Sequence, residues 1–307
     1  MLARHWEKAG VKKRGALAYI EAGDAARDHY AHQKAAEYYA KGLELLEDSD
    51  NRRRLDALHA FGAVLLPLGR TEESLAKFRE MLALAYRLDL VSKGGAAHNR
   101  IGRLYRDTGA LDEAERHLAA GLVLFERASD ERGIAASLDD IGKIRWLKGD
   151  YPSALNDMRK GLAMRRQLGD RRGIALSLNN VGLVLQDSGE YEEATRALEQ
   201  SLAIRREIGD LVGIVTTLNN IGTVAQDKND HAQALAFYQE AHTLAKEIGD
   251  KNRVALSLTN LGEALYRLGK AEKSIEILEQ AEKMFEELGD KLGLAERSEE
   301  RRVGKEC

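Results

Sequence analysis

A chain of 307 residues with 44% hydrophobic and 32% charged side chains has the composition of a soluble, folding protein, long enough for two average domains or one extended repeat array. Its formal net charge of −3 lacks the basic excess of a general nucleic-acid binder. Only two prolines interrupt segments rich in Ala, Leu, Glu, Arg and Lys, which favour helix over strand.

Residues 1–31, with "LARHWEKAG" near the start, read as a helical lead-in and N-terminal cap that overlaps the first repeat. Gly23 opens a pattern, one residue out of step, that continues every 40 residues at Gly62, Gly102, Gly142, Gly182, Gly222 and Gly262. Seven positions after these markers stand Gly69, Gly109, Gly149, Gly189, Asn229 and Gly269. Twelve positions after come Ala35, Ser74, Ala114, Ala154, Ala194, Ala234 and Ser274, all small. Inside one unit, Leu178, Val181 and Leu185, then Leu198 and Leu202, recur at helical spacing. Gly189 between them fits a left-handed C-terminal cap, so each unit reads as helix, tight turn, helix. The small residues Gly182, Ala194 and Ser201 let the two backbones approach closely.

Units end on Gly-Asp at Gly169-Asp170, Gly209-Asp210, Gly249-Asp250 and Gly289-Asp290, with each aspartate placed to cap the next helix. Pro67, near the end of a first helix, is expected to kink or shorten it. Pro152 sits in the first turn of a second helix, where proline is tolerated. The array runs over 23–290. Residues 291–307 read as a truncated eighth unit and a non-repeat tail, with Arg302 where the next marker glycine is due. "EERRVGKEC" is either a polar cap or a cloning or assembly scar.

Neither helix of such a pair buries its apolar stripe alone, and stacking neighbours bury it. The spacing of small residues resembles the tetratricopeptide repeat (TPR) family over nearly the whole chain, with a period of 40 in place of the usual ~34. The longer unit, with "LNN-hydrophobic-G" and "hydrophobic-G-D", is similar to repeats of kinesin light chain and of Pins/LGN-type adaptors. The first 31 residues resemble the approach to the TPR tails of bacterial MalT-like signalling ATPases. The resemblance implies an all-α fold, a right-handed superhelical solenoid of about seven helix-turn-helix units with a concave groove.

In that family a stripe at positions −3, +1 and +4 from the marker glycine lines the groove. Position −3 holds His59, Asn99, Asp139, Asn179, Asn219 and Thr259. Position +1 holds Ala63, Arg103, Lys143, Leu183, Thr223 and Glu263, and position +4 includes Arg106, Trp146, Gln186, Gln226 and Tyr266. Amide side chains both donate and accept, so a ladder of them can pair with the backbone of an extended peptide. Arg103, Arg106 and Lys143 add a preference for acid or phosphate, and Trp146 and Tyr266 are aromatic anchor candidates. The competing reading is that asparagines bridge neighbouring helices. At position −2, with Asn180, Asn220 and Asn260, the structural role is favoured.

No phosphate loop, dinucleotide fingerprint, H-E-x-x-H or G-x-S-x-G appears, and no nucleophile, base and orienter form a constellation. His29 and His32 lack an evident third metal ligand. The single cysteine, Cys307, supports neither an intramolecular disulfide nor a zinc cluster. No apolar run approaches the ~20 residues that span a bilayer, and charges occupy the N-terminus where a signal peptide is apolar. The expectation is a cytoplasmic, non-catalytic module without cofactor or metal, binding an extended or helical segment of a partner protein. It binds neither nucleic acid nor membrane, and an exposed terminal repeat offers a route to self-association. The alternative is the sensory part of a larger signalling ATPase or transcription regulator that takes a small peptide or metabolite.

Overall fold

The computed structural model describes residues 6, 11–47 and 49–288, and all regular structure among them is helical. The chain falls into two compact units, Met1–Asp150 and Tyr151–Cys307. The first contains α1 (Lys12–Asp28), α2 (His32–Leu45), α3 (Asn51–Leu65), α4 (Thr71–Arg87), α5 (Val91–Asp107), α6 (Leu111–Arg127) and α7 (Glu131–Leu147). The second contains α8 (Tyr151–Gln167), α9 (Arg171–Asp187), α10 (Tyr191–Glu207), α11 (Leu211–Asp227), α12 (His231–Ile248), α13 (Lys251–Arg267) and α14 (Ala271–Leu288). The tail and truncated unit read over 291–307 lie outside the described residues.

The 40-residue period has a simple origin. Helices of 17 residues such as α5, α6 and α7 alternate with three-residue connections. The connections are that short because one residue serves two helices. After α5, Gly109 takes φ +81°, its N–H donates to Arg106 O, and the N–H of Ala110 donates to Tyr105 O at 2.8 Å. This paired closure satisfies the last carbonyls of the helix. At the unit boundary the same closing residue is an aspartate. The Asp170 N–H bonds back to Arg165 O, while its carboxylate accepts from Gly173 N at 3.0 Å to start α9. Asp130, Asp210 and Asp250 cap α7, α11 and α13 in the same way.

The marker glycines are contact points. A Cβ on Gly102 would lie 2.7 Å from Leu118 Cγ and 3.1 Å from Ala114 O; on Gly182 it would meet Leu198 and Ala194 O at 2.6 and 3.3 Å. Gly62, Gly222 and Gly262 face Phe78, Tyr238 and Leu278 at the same sixteen-residue offset, and Gly142 is buried in α7. Ser74 and Ser274, twelve positions on, donate to the carbonyls of Gly62 and Gly262 at 2.8 and 2.7 Å. Pro67 ends α3 at Leu65 and turns the chain through a short 3-10 segment, Leu66–Leu68. Pro152 lies in the first turn of α8.

The core is serial. In the first unit a cluster of Tyr39, Phe61, Val64 and Leu65 gives way to one of Leu55, Leu58, Met81 and Leu84. Leu75, Phe78, Ile101 and Leu104 follow, and then Ala114, Leu118, Ile141 and Ile144. Each hairpin thus closes its apolar face on the helix that follows. Within each unit, first helices of successive repeats also pack on one another: α1 on α3 and α5 on α7 in one, α9 on α11 and α11 on α13 in the other. This row of first helices is the inner face that the resemblance implies.

Candidate functional site

The inner face of the second unit is mostly engaged in holding itself together. Asn179, 5% exposed, accepts from Asn220 Nδ2 at 3.0 Å and from Thr217 Oγ1 at 3.3 Å. Asn219 accepts from Asn260 Nδ2 at 3.3 Å. The doubled asparagine therefore has a division of labour: the first accepts from the second of the next repeat. Gln186 donates to Asp227, and Gln226 to Glu263 at 2.6 Å. Thr259 Oγ1 turns back to Ala255 O. Tyr266 is the exposed member of this set, at 47%.

In the first unit the same positions carry charge. Asn99, also 5% exposed, bonds with Ser137 Oγ at 2.9 Å and packs against Gly121. The side chains of Asn99 and Asn179 thus bond across to the following repeat. Asp139 is buried, and Trp146 is half-buried. Arg103 Nε donates to the buried Asp140 at 2.7 Å, and Arg106 reaches the same carboxylate at 3.8 Å while donating to Asp107. Lys143 is half-buried, and burial lowers its pKa from the usual lysine value despite Asp140 nearby. No carboxylate lies within 4 Å of its ammonium among the described residues.

Sequence reasoning passed over a fourth cation. Arg100 occupies position −2, where later repeats have asparagine, and its Nε donates to His59 Nε2 at 2.8 Å. It forms no ion pair among the described residues, and burial lowers its pKa as well. Burial, followed by the charge of Arg100, holds His59 down at about 4, so the imidazole is a neutral acceptor at pH 7. The signal that marks Arg100 in the sequence is the exchange of amide for guanidinium at −2, one repeat after a histidine at −3.

Beside Arg100, between α1, α2, α3 and α5, is a cavity of about 380 Å³ lined by Asp24, Arg27, Tyr39, Asp56 and His59. Tyr39 Oη donates to Asp24 at 2.7 Å, Arg27 donates to Asp24 at 2.9 Å, and Asp56 accepts from Lys93. A second buried imidazole group lies away from this face. His98 and His117 share an Nδ1···Nδ1 contact of 2.9 Å, with Tyr86 Oη on His98 Nε2. Burial holds His98 at about 4.

The model of the tetratricopeptide repeat matches residues 95–167, 173–247 and 213–287, more than half of the chain. The chain belongs to the tetratricopeptide repeat family. Its helical hairpins place it in the all-α fold class of TPR solenoids. Among curated proteins, none matches it in sequence. Solved structures share its fold at low identity. BtubC (BKLC) from P. vanneervenii is 15% identical with a TM-score of 0.60, over 79% of this chain and 94% of that one. A Rap protein complexed with Competence and Sporulation Factor is 16% identical with a TM-score of 0.68, over 89% and 75%. The TPR-sensor STAND protein from Pyrococcus horikoshii, a signal transduction ATPase with numerous domains, is 17% identical with a TM-score of 0.66. The TPR chain covers 39% of that protein, and 83% of its own length is matched.

Proposed function

We propose that this TPR protein is a non-catalytic, cytoplasmic interaction module whose first unit binds an acidic segment of a partner protein on its inner face. The observation that carries this reading is Lys143, a half-buried ammonium with no carboxylate within 4 Å among the described residues, next to Arg103 and Arg106. A desolvated cation that lacks a contact ion pair gains more from an incoming carboxylate than a fully hydrated one does. Arg103 and Arg106 share one buried carboxylate, so their guanidinium faces retain donors for a second. Trp146, one turn along α7, supplies apolar contact for a flanking side chain. The Rap protein complexed with Competence and Sporulation Factor supports a binding role for this fold.

An array of immobilised 12-residue peptides graded by charge tests it. Acidic peptides should retain the protein, with retention falling as salt rises, and Lys143→Gln should weaken capture. Retention independent of peptide charge would contradict the proposal. The STAND protein with its TPR sensor favours a second reading, in which the same face receives an effector as part of a larger regulator. An ATPase domain encoded in frame with this chain would support it.

A further inference from the structure

We propose that the cavity between α1, α2, α3 and α5 is a binding site for a small zwitterion of amino-acid to dipeptide size. The site is independent of the acidic-segment reading, because Lys143 and Arg106 do not line it. Its origin is visible in the repeat. Positions −2 and +1 carry Arg100 and Arg103, Asp140 and Lys143, Asn180 and Leu183, Asn220 and Thr223, Asn260 and Glu263; in the second repeat they are Ala60 and Ala63. Two truncated side chains on adjacent turns of α3 leave a hollow where the other repeats place larger groups. At about 380 Å³ the space lies in the lower range of ligand pockets.

The walls differ in charge. On one side, Arg100 uses Nε for His59, and its Nη1 and Nη2 make no hydrogen bond to described residues, leaving the end of the guanidinium for a carboxylate. His59 accepts at Nε2, so its proton sits on Nδ1, a second donor with no hydrogen-bond partner among the described residues. On the other side, Asp24 is held by Tyr39 and Arg27 through Oδ1, leaving Oδ2 as an acceptor for an ammonium. Between them are Ile20, Ala57, Ala60 and Ala63, an apolar floor, and Asp56, which also lines the cavity, accepts from Lys93. A ligand with carboxylate at one end and amine at the other matches both walls; a simple anion matches one.

Calorimetric titration of the full chain with alanyl-alanine, N-acetyl-alanyl-alanine and alanyl-alanine amide tests the assignment. The free dipeptide is expected to bind saturably, and each blocked form at least tenfold more weakly. Arg100→Gln should abolish binding. Asp24→Asn should make the free and N-acetylated forms equivalent, while Lys143→Gln should leave dipeptide affinity unchanged. Should Arg100→Gln not fold, Ala63→Leu fills the hollow from within and should remove binding while the melting temperature holds. No saturable binding of any dipeptide, N-acetylated peptide binding as tightly as free peptide, or full affinity in Ala63→Leu would each overturn the proposal.

Discussion

Asn179 illustrates how much a residue's meaning depends on what the next repeat does with it. Its carbonyl oxygen takes donors from Thr217 and Asn220, and replacing it with alanine leaves both donors without that acceptor. Asn179→Ala should lower stability by about 1–3 kcal/mol, read as a shift in the urea midpoint with unchanged slope. The −3 and −2 positions are 100° apart on the helix, and local periodicity does not say which of them the following repeat covers. That is why the sequence left bridging and groove-lining both open at −3 while favouring the structural role at −2, where Asn220 and Asn260 donate to the preceding repeat. Arg100 was hidden for a related reason: at a position otherwise read from its asparagines, a single guanidinium was averaged away. Histidines add a pH signature. His59 and His98 have folded pKa values near 4, below the ordinary 6.5, so the unfolded chain takes up protons first as pH falls. Stability should be complete above pH 6.5 and decline between 6.5 and about 4, by at most roughly 3 kcal/mol for each histidine. Denaturation midpoints at pH 7.5 and 4.5 check this, and His98→Gln, which removes one of the two groups, should flatten the slope.

At the scale of the element, the sequence was far more readable. Small residues sit where two backbones meet, and this requirement is independent of any partner. Gly102→Leu places branched carbons where Leu118 and Ala114 O already stand, and should cost about 1–3 kcal/mol or more by overpacking. The aspartate caps are equally local. Asp170→Ala removes the acceptor for Gly173 N and should cost about 0.5–2 kcal/mol. Gly173 is shaped by the same cap: a Cβ there would collide with Asp170 Oδ2 and lie 2.7 Å from Arg165 Cδ. Arg165 Nη1 in turn donates to Gly173 O and Ser177 Oγ. The spacing D-x-x-G is the readable trace of that crowding.

Across the molecule, the two units use one repeat for different inner surfaces. In the second, amides bond to one another and to Asp227 and Glu263 along α9, α11 and α13. In the first, Arg103 and Arg106 pair with Asp140, and among the described residues Arg100 and Lys143 form no ion pair. Under the proposed function, cohesion and recognition are separate: asparagines bond between repeats, and the cations are proposed to hold the ligand. Fluorescence anisotropy with one labelled glutamate-rich peptide tests this separation most directly, applied to wild type, Asn179→Ala and Lys143→Gln. Lys143→Gln should raise Kd about tenfold or more through loss of a charge-assisted contact. Asn179→Ala, at temperatures where it remains folded, should bind as wild type does. A lysine variant with wild-type affinity, or an asparagine variant that loses the peptide while folded, would contradict the account.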